Sequence, residues 1–302
     1  MLGNTGPAPC DDPDVKFALM YNMAFHGTDP DQMADVARHA EECGFESFYL
    51  PEHIALYPGA SFGTAPGAPA IPPDMPIPDP LDCLSFVAAA TSRLVLGTGV
   101  LLLPFHHPVA LAKRLATIDV LSRGRMRLLT IGVGVLPGEA AAAGVDFTTR
   151  GRRADEAIDV LRLLWSGDEN GVSFHGEFFS FPAICSYPKP LAPGTLPIHI
   201  GGSSRAAARR AGLRGDGYFP GGRLTAAQRA EQIELMHQTA RAAGWDEKAL
   251  EITRFGALDL DQADVSHYAG EGVTRLVVSP PAGTTKEQRE QISAFARRVI
   301  PG

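Results

Sequence analysis

The chain has few cysteines, no long apolar run and no excess of basic charge. Its four cysteines, Cys10, Cys43, Cys83 and Cys185, show no CxxC spacing, so neither a disulfide scaffold nor a zinc ribbon is indicated. No apolar run reaches the roughly 20 residues that a membrane-spanning helix needs. Lys and Arg are dispersed and the formal net charge is −7, so no surface for nucleic acid is indicated.

The amino-terminal residues lack the basic and apolar regions of a secretory signal. We therefore expect a reduced, cytoplasmic protein that has neither a membrane nor a nucleic-acid partner. A chain of 302 residues with 45% hydrophobic and 20% charged residues has the composition of a globular α/β barrel. We expect one domain over residues 1–302, with residues 1–14 as a loose arm.

Short apolar runs alternate with helical stretches eight times along the chain. This alternation predicts a parallel sheet, and eight units predict that it closes as a (β/α)8 TIM barrel. Residues 172–190 alternate polar and apolar side chains and contain prolines, which predicts an insertion between strands four and five. The predicted strands cover residues 16–23, 47–50, 94–103, 126–131, 196–200, 217–220, 252–258 and 274–279.

Histidines follow the first three predicted strands, at the end of the barrel where the chemistry of this fold takes place. His53, next to Glu52, is the best candidate for proton transfer, because imidazole titrates near neutrality. The alternative is a loop histidine that bonds only to backbone. His26, His106 and His107 lack the spacing of metal ligands, so no metal is predicted.

Glycines follow predicted strands four and five. Gly201, Gly202 and Ser203 precede a helix, where backbone N–H groups and the helix dipole favour an anion; a plain turn with a capping serine, Ser203 or Ser204, is the alternative. Two nearby arginines, Arg205 and Arg223, could add positive charge.

The second set, Gly132, Val133 and Gly134, lacks the spacing and placement of a dinucleotide-binding fingerprint. These glycines instead favour a planar ring or phosphate lying against the backbone.

Residues 58–80 contain many prolines and glycines and show no periodicity. Such a long loop within a compact fold is typical of a lid or binding loop, so we expect it to form part of the pocket rim; disorder is the alternative. Apolar residues in and near it favour a hydrophobic substrate: Ile54, Leu56, Phe62, Met75 and Ile77.

Three stretches together resemble the luciferase-like monooxygenase superfamily, and within it the branch that uses the deazaflavin coenzyme F420. They are GFESFYLPEH at 44–53, RLVLGTGVLLLPFHHPVALAKRLATIDVLSRGRMRL at 93–128, and PIHIGGSSRAAARRAG with DGYFPGG at 197–222. The resemblance covers nearly the whole chain from about Phe17. It implies a (β/α)8 barrel with an insertion before strand five.

The resemblance also implies roles for particular residues. The deazaflavin ring would lie over the end of strand three, where a non-prolyl cis peptide would join Gly99 and Val100. Glu52 and His53 match an acidic–histidine pair near the ring. By motif position, Gly132, Val133 and Gly134 match a ring or side-chain contact, and Gly201, Gly202 and Ser203 match the phosphate site. The loop after strand four is about two residues shorter than in many relatives, so Glu139 is a candidate for the family glutamate.

The resemblance therefore predicts an oxidoreductase that transfers hydride between coenzyme F420 and a small organic substrate, with His53 as proton donor or acceptor. A homodimer is expected on the same ground. An FMN-dependent monooxygenase on the same barrel is the main alternative. A non-catalytic deazaflavin-binding protein and, third, a metal hydrolase are the others.

Overall fold

A computed structural model describes residues 15–22, 26–62, 68–191, 196–222 and 224–300. Eight parallel strands close into a barrel within these residues, which confirms the predicted (β/α)8 fold. Around the ring the strand order is β1-β2-β3-β4-β7-β8-β9-β10. The strands are β1 (Lys16–Met20), β2 (Ser47–Leu50), β3 (Val95–Leu102), β4 (Met126–Gly132), β5 (Val172–His175), β6 (Ser180–Ile184), β7 (Ile198–Gly201), β8 (Gly217–Phe219), β9 (Glu251–Phe255) and β10 (Arg275–Val278).

The helices surround the barrel: α1 (Pro30–Glu42), α2 (Pro80–Ala90), α3 (Pro108–Leu121), α4 (Pro137–Ala142), α5 (Arg150–Ser166), α6 (Arg205–Arg214), α7 (Ala226–Ala242), α8 (Gln262–Gly270) and α9 (Thr285–Val299). Asp29 caps α1 by accepting a hydrogen bond from the Asp31 N–H. In the described part of the chain, no helix combines the length and apolarity needed to cross a membrane. The expected loose arm, residues 1–14, and Arg223 lie outside the described residues.

Alternate residues of each strand face opposite sides of the sheet, so the barrel has two apolar layers. Outward-facing side chains such as Phe17, Leu19 and Phe48 form the large core between the strands and the helices. A smaller cluster fills the middle of the barrel lumen and consists of Ala18, Met20, Tyr49, Leu128, Phe219 and Val277. This lumen cluster separates the two ends of the barrel.

Below the lumen cluster, at the ends where the strands begin, lies a group of charged residues. Arg275 donates to Glu46 from Nε at 2.8 Å and to Glu251 from Nη1 at 2.6 Å. The Lys16 Nζ atom lies 3.8 Å from the Glu46 carboxylate and 3.7 Å from that of Glu251. The Nε2 atom of buried His199 lies 3.7 Å from Glu251. The carboxylates of Glu46 and Glu251 thus balance the positive charges of Arg275 and Lys16.

Between β4 and β7 the chain leaves the ring and forms an antiparallel hairpin of β5 and β6. Its turn is held by α5, because the Glu156 carboxylate accepts hydrogen bonds from the N–H groups of Glu177, Phe178 and Phe179 at 2.6–3.1 Å. The Phe179 ring is buried and packs edge-on against His107. The hairpin is therefore fixed to the outside of the barrel.

Candidate active site

The end of β3 forms the floor of the barrel mouth. The peptide bond between Gly99 and Val100 is cis, as the resemblance implied. The Val100 methyl groups lie 2.6 Å from the positions where a Cβ would stand at Gly132 and at Gly201, and the Met20 Cε atom lies 2.6 Å from that position at Gly99. A side chain at position 132 or 201 would collide with the short, branched Val100, so the floor favours glycine at both, whereas at Gly99 the neighbour is the flexible end of Met20.

Glu52 holds the backbone directly after this cis peptide. Its carboxylate is buried and accepts a hydrogen bond from the Leu102 N–H at 2.5 Å. Its own N–H donates to the Val100 carbonyl at 3.2 Å. The second carboxylate oxygen bonds to His106 Nε2 at 2.9 Å. Glu52 thus bonds to His106 and not to its neighbour His53, and a catalytic role for Glu52 and His53 beside the ring stays a prediction.

The partner of His53 is Glu139. Its Oε2 atom lies 3.0 Å from His53 Nδ1, and Oε1 accepts from the Ile54 N–H at 2.7 Å and the Ala55 N–H at 3.4 Å. Glu139 is completely buried. A carboxylate only accepts, so His53 Nδ1 carries a hydrogen and Nε2 is the atom that can exchange a proton. The Phe62 ring packs against the His53 ring, with the two centroids 4.8 Å apart.

The described part of the loop at 58–80 packs on the loop that follows β4. Ala60 and Ile71 form a buried cluster with Leu136, and Leu56 and Met75 pack against it. Leu56 and Met75, expected at an apolar rim, thus belong to this cluster. Ile54 and Phe62 are exposed by 45% and 52%, whereas Ile77 is half-buried. Residues 63–67 lie outside the described part.

The glycines after β4 serve the packing of this region. Gly134 has φ of +80°, and a Cβ there would lie 2.7 Å from the Phe105 ring. Its carbonyl accepts a hydrogen bond from Arg150 Nε at 3.1 Å. Val133 is half-buried beside the large core. A ligand contact by Gly132, Val133 and Gly134 stays a prediction.

The corner after β7 is shaped as an anion site. Gly202 has φ of +128°, a conformation that favours glycine. Ser204 caps α6 by accepting from the Ala207 N–H at 3.1 Å, which leaves the exposed Ser203 hydroxyl at the mouth. A Cβ at Gly222 would lie 3.0 Å from Ser203 Oγ. The remaining N–H groups of the first turn of α6 have no intrahelical acceptor, so this corner fits a phosphate.

Two buried residues that the sequence analysis missed hold this corner in place. Tyr218 donates its hydroxyl hydrogen to Gln232 Oε1 at 2.5 Å, and its hydroxyl oxygen lies 3.0 Å from the Gly202 carbonyl. Gln232 donates from Nε2 to the Ser203 carbonyl at 2.7 Å. The sequence pattern indicates only that Tyr218 lies on a strand and Gln232 on a helix, and it contains no sign of these contacts. Arg205, expected to add charge here, forms an exposed ion pair with Glu231.

The other predicted histidines are engaged in the fold. His26 is buried, its Nδ1 atom lies 2.6 Å from Gln288 Nε2, and burial lowers its pKa to about 4. His106 is bound to Glu52 and His107 packs on Phe179. Within the described ranges, no group of three or more His, Cys, Asp or Glu residues could hold a metal ion.

Comparison with known proteins adds four findings. The family model described as luciferase-like monooxygenase matches residues 17–298. An uncharacterised protein of Mycobacterium tuberculosis is 31% identical over 282 residues, which are 88% of this chain and 93% of the relative. An F420-dependent glucose-6-phosphate dehydrogenase of Kineococcus radiotolerans is 35% identical over 205 residues, which are 67% of this chain and 55% of the relative. The crystal structure of monooxygenase RslO1 from Streptomyces bottropensis shares the fold, with a TM-score of 0.72 at 21% identity over 95% of this chain and 99% of that one.

Proposed function

Because the chain belongs to the luciferase-like monooxygenase family and is an oxidoreductase, we propose that it binds the deazaflavin coenzyme F420 and uses it on a small organic substrate at the mouth of the barrel. The observation that carries this proposal is His53, which the buried carboxylate of Glu139 orients. His53 follows Glu52, whose N–H bonds to the Val100 carbonyl of the floor. The relative from Kineococcus supports the choice of cofactor.

The residues of the mouth fit a flat cofactor with a phosphate. Val100 and the cis peptide would support the ring, and the Ser203 hydroxyl with the N–H groups that begin α6 would bind the phosphate. When bound, the deazaflavin supplies hydride transfer at its C5 carbon. Glu52, through Val100 and Leu102, fixes the floor. The floor and the corner are thus set by bonds within the chain.

The chain itself supplies the proton chemistry. His53 Nε2 would donate or accept the proton that accompanies hydride transfer, while Nδ1–H stays bonded to Glu139. The backbone N–H groups of Ile54 and Ala55 hold the Glu139 carboxylate. Phe62, packed on the imidazole, limits the access of water to one side of the ring.

The test titrates the purified protein with coenzyme F420 and with FMN, and follows cofactor fluorescence. We expect tight binding of the deazaflavin and weaker binding of FMN. Turnover is then measured with a panel of small alcohols, ketones and enones. His53→Ala should keep the cofactor affinity and lose turnover by a hundredfold or more, in keeping with the roughly 10²–10⁴-fold contribution of general acid–base catalysis.

The matched control is His267→Ala, because the His267 side chain is 76% exposed on the outer helix α8. It should leave both cofactor affinity and turnover unchanged. Tight FMN binding without deazaflavin binding would overturn the proposed cofactor. A His53→Ala variant that turns over as fast as the wild type would overturn the proposed proton transfer.

A further inference from the structure

Exposed apolar side chains gather around the barrel mouth. Ile54 and Phe62 follow β2, Val135 follows β4, and Phe255 ends β9. Their exposed fractions lie between 45% and 62%. Soluble proteins rarely leave several large apolar side chains exposed around one cleft unless the cleft binds a ligand. Phe255 differs from the other three because no residue on its strand, β9, takes part in the proposed proton transfer.

The side chain of Phe255 faces the lumen rather than the helices. Along β9, Glu251 faces inward, since it bonds to Arg275 in the lumen. Ile252 faces outward into the large core, and Arg254 faces outward and bonds to Glu271 near α8. Because side chains alternate along a strand, Thr253 and Phe255 share the inward side with Glu251. Phe255 is the inward-facing residue of β9 nearest the mouth.

A buried aromatic ring supports Phe255 from within the lumen. The rings of Phe255 and Phe219 lie 4.7 Å apart at an interplanar angle of 47°. Phe219 is 3% exposed and packs edge-on against Tyr49 at 6.4 Å. Phe255 itself remains 51% exposed. One part of its ring is therefore fixed by packing, and the remainder is open to a molecule in the mouth.

The surroundings of Phe255 do not favour an anionic ligand. The described residues directly after β9 and β10 (256–260 and 279–283) contain no Lys or Arg. Asp259 is the one charged residue among them, and it is exposed. A carboxylate or phosphate on this side of the mouth would lose its hydration without gaining an opposite charge.

We propose that Phe255, supported by Phe219, determines substrate specificity by binding a flat, apolar part of an uncharged substrate. This inference rests on the proposed function, because it assigns the substrate side of the same mouth. β9 lies three strands from β2 around the ring, so a molecule seated on Phe255 shares the mouth with His53.

The experiment measures binding rather than turnover. The probes are 4-phenylbut-3-en-2-one, which is uncharged and flat, and cinnamate, which has a similar shape but carries a carboxylate. Isothermal titration calorimetry gives the Kd of each probe with the wild type, with Phe255→Ala and with Phe255→Tyr. The control is Phe86→Ala, because Phe86 is also an exposed phenylalanine, at 42%, but lies on helix α2. Coenzyme F420 binding is measured for each variant separately.

We expect the uncharged probe to bind the wild type at least about tenfold more tightly than cinnamate. Phe255→Ala should weaken its binding about five- to tenfold, as the loss of an aromatic contact and its apolar area predicts. Phe255→Tyr, which keeps the ring, should stay within about twofold of the wild type, and Phe86→Ala should change nothing.

Equal binding of the two probes to the wild type, or equal binding of the uncharged probe to the wild type and to Phe255→Ala, would overturn the inference. A Phe255→Ala variant that loses only F420 affinity would overturn it too, since Phe255 would then support the cofactor. If Phe255→Ala does not fold, Phe255→Tyr provides the test. A loss of affinity for the uncharged probe as large as about tenfold in Phe255→Tyr would contradict the inference. Failure of F420 to bind the wild type would overturn the proposed function instead. The probe titrations would still show whether Phe255 binds a flat, uncharged molecule.

Discussion

The two ends of the barrel lumen both bury charge, but they use different chemistry. Where the strands begin, Arg275 joins Glu46 and Glu251. Where the strands end, two carboxylates each face an imidazole: Glu139 faces His53, and Glu52 faces His106. The apolar lumen cluster lies between the two groups.

The difference in residue type gives the two groups different roles, one structural and one chemical. A guanidinium keeps its charge at every pH that the fold survives. Burial by itself would lower the pKa of Arg275, but its hydrogen bond to Glu46 and the charges of the nearby carboxylates outweigh this and raise the pKa. An imidazole can gain or lose its proton near neutrality. Arg275 can therefore only stabilise the barrel, whereas the histidines at the mouth can also exchange protons with a ligand. Three substitutions test this division.

The largest effect is expected for Arg275→Met. The variant would leave the carboxylates of Glu46 and Glu251 without their shared partner, and breaking a buried ion pair costs about 3–5 kcal/mol of unfolding free energy. Urea unfolding followed by circular dichroism measures the change. Arg241→Met is the control, since Arg241 bonds to Glu234 and Glu247 on the exposed side of α7, and it should unfold as the wild type does. Equal midpoints for the two variants would show that the lower group contributes little.

A smaller effect, on turnover rather than on stability, is expected for Glu139→Gln. The amide keeps the size of the side chain. If its oxygen stays on the Ile54 N–H, its NH2 group faces His53 Nδ1–H and cannot accept the hydrogen bond, so His53 loses its orientation. Turnover should fall roughly a hundredfold with cofactor affinity unchanged.

The control is Glu156→Gln, because Glu156 likewise accepts hydrogen bonds from backbone N–H groups, three of them, but bonds to the hairpin outside the barrel. Equal turnover by both variants and the wild type would remove Glu139 from the proposed machinery.

The smallest effect concerns acid stability. Burial lowers the pKa of His199 from 6.5 to about 4, so the folded protein keeps this imidazole neutral while the unfolded chain protonates it. The unfolding free energy should therefore fall as the pH decreases from about 6.5 toward 4. The contribution of His199 between pH 7 and pH 5 is on the order of 2 kcal/mol.

His199→Asn should reduce this pH dependence, and denaturant midpoints at several pH values measure it. His26, with its pKa also lowered to about 4, retains its own share. The exposed His267→Asn should leave the wild-type dependence intact. An unchanged slope in His199→Asn would show that this residue is not the source.

Much of the fold could be predicted from the sequence because it depends on local patterns. Apolar runs and capping residues place the strands and helices within a few residues, and counting the units predicts the closed barrel. The first strand ends at Met20 rather than at residue 23, and helix α4 was missed because Pro137 and Gly138 suggested only a loop. Local signals are weakest in such short segments.

The contacts of the site could not be predicted, because they join residues that are far apart in the chain. Glu52 and His53 are neighbours in sequence, yet Glu52 bonds to His106 and His53 bonds to Glu139. Adjacent side chains after a strand point in different directions, and which partner each one meets depends on the packing of the loops. Tyr218 and Gln232 likewise meet the corner after β7 only in the folded barrel.

Val100 imposes a rule on any redesign of the mouth. Its two methyl groups occupy the volume that side chains at positions 132 and 201 would need, so these three positions form one steric unit drawn from three different strands. Enlarging either glycine alone would displace the floor, whereas a smaller residue at position 100 would open a cavity beside both. A smaller residue at position 100 can therefore deepen the cleft by itself, whereas a larger residue at position 132 or 201 requires a smaller one at position 100.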